Sequence, residues 1–147
     1  MADREQYAER QKAFLDALQL RAPVPEGFDA NDLDAAAAAL TRKRAAGVRA
    51  AWPALCYGLG EEFLPRFRDY VQATPPPCEG DYAADGFAFA RSLPRELLTE
   101  QAKVELAFAR AANGSRLTAV RQGRSILVIA AWGRRRFCLT LGRSQPF

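Results

Sequence analysis

Histidine is absent from all 147 residues. Its absence removes Ser-His-Asp and Cys-His nucleophilic catalysis and every histidine-ligated metal site. Cysteine is scarce. Cys56, Cys78 and Cys138 are odd in number, far apart and form no CxxC pair, so neither a zinc knuckle nor a dithiol redox motif is encoded. They read as idle thiols of a reducing compartment. No apolar run is long enough to span a bilayer, and the opening MADREQYAERQ is charged, with no apolar signal core behind it. A soluble, cytoplasmic protein is the expectation. Acids are missing from one end: all 17 lie at or before Glu105.

What fills that end is arginine. From Asn113 to Phe147 there are seven (Arg116, Arg121, Arg124, Arg134, Arg135, Arg136, Arg143) and no lysine or acid. That segment therefore carries +7 and the first 112 residues −3, for a total of +4. A one-signed end points to an anionic partner, either nucleic acid or an acidic peptide, set against the plainer reading of a solvated basic surface. With 49% hydrophobic residues, the length suits one ordinary domain with a real core.

The chain is organised around Trp52–Pro77. Before it, a helix over Asp3–Leu20 is predicted, with Tyr7, Phe14, Leu15 and Leu18 on one face. A turn-rich Ala22–Gly27 linker follows. A second helix is capped by Asp29 or Asn31 and passes through Ala35–Ala39, a smooth face for close helix packing. Leu33, Leu40, Val48 and Trp52 form its expected buried side. Arg42, Lys43, Arg44 and Arg49 are its candidate nucleic-acid residues, although a solvated helical face also explains such a cluster. Pro53 kinks or restarts the helix and Gly58-Leu59-Gly60 ends it.

Glu61 and Glu62 open the next helix, whose Phe63, Phe67, Tyr70 and Val71 have core spacing. Arg66 and Asp69 are expected to pair on its outer side. Pro75-Pro76-Pro77 forces an extended exit. A short aromatic helix is predicted within Asp81–Leu93. A last helix should begin at Pro94 and bury Leu97, Val104, Phe108 and Ala111, stopping at Asn113-Gly114.

From Ser115 the period becomes that of strands: Leu117–Arg121, Ser125–Trp132 and Arg135–Leu141, with turns at Gln122-Gly123 and Gly133-Arg134. Short connections imply an antiparallel meander. Phe137, Leu139 and Leu141 alternate with Arg136, Cys138 and Thr140, giving the third strand one wet face. The middle strand, ILVIAAW, is apolar on both sides and reads as covered on both, by the helices and by a partner. The fold class is therefore α+β and mostly helical: a helical bundle domain over residues 1–112, then a small basic three-stranded sheet over 113–147 packed on the helices.

Arg44, Trp52-Pro53, Gly60-Glu61-Glu62-Phe63, Tyr70-Val71, Pro75-Pro76-Pro77 and Asp85-Gly86-Phe87 together resemble the pattern of a bacterial family named for DNA binding. The likeness covers roughly residues 40–93. Where that pattern has Tyr-Arg-x-Asn-Val, this chain has Arg42-Lys43-Arg44-Ala45-Ala46-Gly47-Val48, which resembles a stand-alone branch. Members include accessory partners of multinuclear non-heme iron oxidative enzymes, which modify cysteines in ribosomally made peptides of the methanobactin or bufferin type. The resemblance implies a non-catalytic partner protein with no cofactor of its own, the iron belonging to the enzyme.

On that reading an acidic precursor peptide adds as a strand to an edge of the sheet. The candidate peptide and partner residues are Arg121, Arg124, Ile126, Val128, Trp132, Arg134, Arg135, Arg136 and Phe137. The alternative is a DNA-binding transcriptional regulator, with the arginine-rich ribbon acting as a wing, although no helix carries a base-reading face. An enzyme built on Glu61, Glu62, Asp81 and Asp85 ranks last, because helix-start acids ordinarily serve capping and no nucleophile–base pair accompanies them.

Overall fold

Side-chain oxygens accept the first free amides of several of the helices. The structure, a computed structural model, describes residues 2–18, 22–75, 80–132 and 135–142, without the side chains of residues 2, 3, 132 and 136. In chain order it contains α1 (Ala2–Leu18), α2 (Ala30–Ala51), α3 (Pro53–Leu59), a 3-10 turn (Gly60–Glu62), α4 (Phe63–Ala73), α5 (Tyr82–Ser92), a second 3-10 turn (Arg95–Leu97) and α6 (Glu100–Ala112). These are followed by β1 (Leu117–Gln122), β2 (Ser125–Trp132) and β3 (Arg135–Leu141). This is the α+β, mostly helical class with a C-terminal antiparallel meander, in the order β1-β2-β3. Pro76, Pro77, Cys78 and the Gly133-Arg134 turn lie outside the described residues.

Two compact units divide the chain, Met1–Ala51 with Glu61–Asp85, and Trp52–Gly60 with Gly86–Phe147. In the first, Asp29 Oδ1 accepts the amides of Asn31 and Asp32 at 2.8 and 3.2 Å, capping α2. The buried row of α2 is Leu33, Ala37, Thr41, Ala45 and Val48. Leu40, expected on that row, is exposed, because a stripe advancing four residues at a time passes it by. In α4, Phe63, Phe67, Tyr70 and Val71 are buried together. Arg66 pairs with Glu62 at 2.9 Å rather than with Asp69, since the carboxylate one turn earlier is also in reach. In α1 Ala17 is buried, and Tyr7 and Leu15 are exposed. Phe14 of α1 stacks on Phe28 at 4.8 Å.

In the second unit, Pro53 takes the first position of α3 and Trp52 supplies no side-chain cap. Glu105 of α6 takes that role, accepting the Leu55 and Ala54 amides at 2.8 and 3.3 Å. Gly86 of α5 lies against the Trp52 indole, where an added Cβ would clash. Thr99 caps α6 through the Ala102 amide at 3.2 Å. Pro94 precedes a 3-10 turn instead of opening α6. A neighbouring stripe of α6 faces the core instead of the expected one: Ala102, Leu106, Ala107 and Ala111 are buried, and Phe108 is exposed. The helix ends as the sequence predicts, with Gly114 at φ 98° and the Ser115 amide donating to the Arg110 carbonyl at 3.0 Å.

Candidate functional site

The sheet rests on α6 through one face only. Ile129 is fully buried against Ala107 and Ala111, with Val120, Leu127 and Ala131 packed around it. Burying Ile129 there contributes about 1.5–3 kcal/mol. Pairing of Val120 with Leu127, and of Ile129 with Thr118 and Cys138, assigns the rest by alternation. The opposite face carries Leu117, Ala119 and Arg121 of β1, Ile126, Val128 and Ala130 of β2, and Arg135, Phe137, Leu139 and Leu141 of β3. On it Leu117, Ile126, Phe137, Leu139 and Leu141 keep 45–69% of their surface. The middle strand is thus covered on one face and open on the other. The third strand is wet on both faces, because Cys138 and Thr140 are exposed as well.

The edges follow from one bond. Ala131 donates its N–H to the Arg116 carbonyl at 2.9 Å. In an antiparallel ladder bonded and non-bonded pairs alternate. Thr118–Ile129, Val120–Leu127 and Gln122–Ser125 are therefore the bonded pairs. Leu117, Ala119 and Arg121 turn their N–H and C=O groups away from β2, to the free side of β1.

That side is not open water. A cleft of about 740 Å³ adjoins it, lined by Leu93, Leu98, Leu106 and Ala107 and by Thr118, Ala119, Val120 and Arg121 of β1. Arg91, Arg95, Lys103, Arg110 and Arg121 line it against Glu96 and Glu100 alone. Lys103 is paired with Glu100 at 3.0 Å, Arg91 stacks over Phe87 at 5.8 Å, and Arg121 Nε donates to the Gly123 carbonyl at 3.0 Å. Arg95 and Arg110 have no carboxylate partner among the described residues. The cleft therefore has unspent positive charge, apolar walls and unpaired backbone groups at one border. An extended acidic segment matches all three.

Of the sequence-predicted residues, Arg121 borders the cleft and Arg124 is exposed in the two-residue hairpin turn. Ile126, Val128 and Phe137 share the open sheet face with Arg135. Trp132 and Arg136 are placed in β2 and β3 by backbone alone, and Arg134 lies outside the described residues.

The candidate nucleic-acid residues separate. Arg42 and Lys43 are exposed. Arg49 lies over the Phe63 ring at 5.1 Å. Arg44 is turned inward, donating Nε and Nη2 to the Asp85 carboxylate at 2.5 and 2.6 Å. The Tyr70 hydroxyl joins at 3.1 Å from Asp85 Oδ1. Burial, then the Asp85 carboxylate, pushes the Tyr70 phenol up to about 12. Of the four clustered acids, Asp85 is spent on Arg44, Glu62 on Arg66, and Asp81 caps α5 through the Ala84 amide at 2.9 Å. Among the described residues no three Cys, Asp or Glu side chains converge as metal ligands, and no helix is long and apolar enough to cross a membrane.

Sequence reasoning missed the helical wall of the cleft, Arg91, Arg95, Lys103 and Arg110. A signal was present: Lys103, Leu106, Ala107 and Arg110 fall at i, i+3, i+4 and i+7, one stripe of α6.

Comparison with known proteins gives two matches. A UPF0276 protein of Streptomyces avermitilis is 42% identical over 90 residues, covering 61% of this chain and 18% of that protein. The chain thus spans less than a fifth of the relative's length. No solved structure matches it. A family model described as "SCO6045-like, C-terminal domain" matches residues 8–95, from within α1 to the start of the second 3-10 turn, short of α6 and the sheet. With well over half of its length matched, the chain belongs to the SCO6045-like C-terminal domain family.

Proposed function

We propose that this is a non-catalytic, cytoplasmic partner protein, which binds a peptide-modifying multinuclear non-heme iron enzyme and its acidic ribosomal precursor peptide. The peptide adds as a fourth strand to the free edge of β1. The observation that carries this reading is the coincidence of that edge with the cationic cleft. Backbone N–H and C=O groups of Leu117, Ala119 and Arg121 hold the peptide main chain. Alternate peptide side chains reach Arg95 and Arg110 on the α6 side, and the others lie beside Leu117 and Arg121. The relative supports a partner role in a second way. Its similar segment is a small part of a much longer polypeptide, so this kind of domain exists beside a larger body. The iron and the oxidation belong to the enzyme on this reading.

A fluorescent peptide alternating glutamate and valine tests it by anisotropy. Binding is expected to weaken as salt rises and to be lost in Ala119→Pro, which deletes an outward amide and no bond to β2. Equal affinity for Ala119→Pro and the parent, with the fold intact by circular dichroism, overturns the edge. Duplex DNA is the competing ligand. It has weaker support, because Arg44 and Arg49 are turned onto Asp85 and Phe63. Salt-sensitive DNA binding lost on replacing Arg42 and Lys43 would favour it over the peptide.

A further inference from the structure

The other edge of the sheet is β3. Among the described residues β3 pairs with β2 alone, and Phe137, Cys138, Leu139, Thr140 and Leu141 are all exposed. The same ladder phase makes Val128–Leu139 and Ala130–Phe137 bonded pairs, so Arg136, Cys138 and Thr140 turn their backbone groups outward. A seven-residue strand with a free row of donors and acceptors is a template for another strand.

We propose that β3 pairs antiparallel with β3 of a second copy, about a two-fold axis at Cys138, joining two three-stranded sheets into one of six strands. The register follows from charge. With the axis at Cys138, the middle of Arg135–Leu141, the whole strand is paired. Phe137 then stands opposite the partner's Leu139, Arg135 opposite the partner's Leu141, and Arg136 opposite the partner's Thr140. No arginine of β3 faces another. An axis at Arg136 sets that residue against its own mate, and one at Thr140 leaves most of the strand unpaired.

The two Arg136 positions then lie four residues apart along the strand, roughly 13 Å. The two Arg135 positions are about 20 Å apart. Both exceed a screening length of about 8 Å at physiological salt. Repulsion between the basic ribbons is therefore weak beside the cross-strand Phe–Leu contacts and the new backbone bonds. The pairing leaves the β1 edge free and does not depend on the peptide reading.

Light scattering after size exclusion tests it at micromolar concentrations, together with a short bismaleimide on a Cys78→Ser background, where Cys138 is the exposed thiol and Cys56 is buried. A two-chain mass and a Cys138–Cys138 adduct are expected. Thr140→Pro removes one outward amide and should return the mass to one chain, with circular dichroism unchanged. A one-chain mass for the parent at every concentration overturns the proposal. So does a dimer that survives Thr140→Pro and gives no adduct through Cys138.

Discussion

Arg44 binds Asp85 through two N–H groups, reaches the Thr74 carbonyl at 3.5 Å, and lies within 6 Å of the Phe67 and Tyr70 rings. Its charge is spent inside the helical unit, where leaving either partner alone is costly. Tyr70 completes the cluster as a neutral donor, and pH reveals this. Its phenol is held at about 12 in the fold against 10.0 ordinarily. The stabilisation is therefore fully present below pH 10 and is lost as pH rises through about 12. Tyr70→Phe should be less stable than the parent by about 1 kcal/mol at pH 8, and the gap should close above pH 10. Denaturant melts of both proteins across that range check it; a gap independent of pH contradicts the assignment. The sequence predicted Tyr70 as core and Asp85 as part of a motif, but offered no means of pairing Arg44 with a residue 41 positions away. Arg44, Tyr70 and Asp85 of the motif hold one unit together, and Trp52, Gly86 and Phe87 meet in the other. That motif is therefore a signature of the fold more than of a ligand.

Helix α6 connects most parts of its unit. Its first turn is capped by Thr99, its middle supplies Glu105 to the start of α3, one stripe forms the cleft wall, and its last turns carry the sheet. Glu105→Ala should cost about 1–2 kcal/mol, the usual loss for a helix cap. Thermal melts measure it, and an unchanged midpoint would show that water replaces the carboxylate. Helix existence, the α2–α3 break at Pro53 and two of the three strand ranges were legible because proline, glycine and period are local signals. The face of α6 was not, because two stripes of the helix carry apolar residues, Val104, Phe108 and Ala111 on one and Ala102, Leu106 and Ala107 on the other, and spacing alone does not say which one meets the sheet. The solvent face of the sheet was misread for another reason. Alternation shows that β3 has two kinds of side chain, but not that the apolar kind points away from the only helix beneath it.

At the scale of the whole molecule, the family match stops before the charge changes, with α6 between the two boundaries. The match to the family ends at residue 95, and the acid-free, seven-arginine segment begins at Asn113. The helices from α1 to α5 are the shared part; α6 and the basic ribbon, with a cleft along β1 and an exposed apolar face, lie beyond it. No sequence pattern could show that the free edge of β1 lies beside Arg95 and Arg110, since strand and cations meet only through the packing of β1 on α6. Amide hydrogen exchange, read residue by residue with and without the alternating glutamate–valine peptide, tests the central claim most directly. The account predicts that the outward amides of Leu117, Ala119 and Arg121 gain protection while those of Arg136, Cys138 and Thr140 do not. Protection confined to α2, or no change anywhere along β1 at saturating peptide, would contradict it.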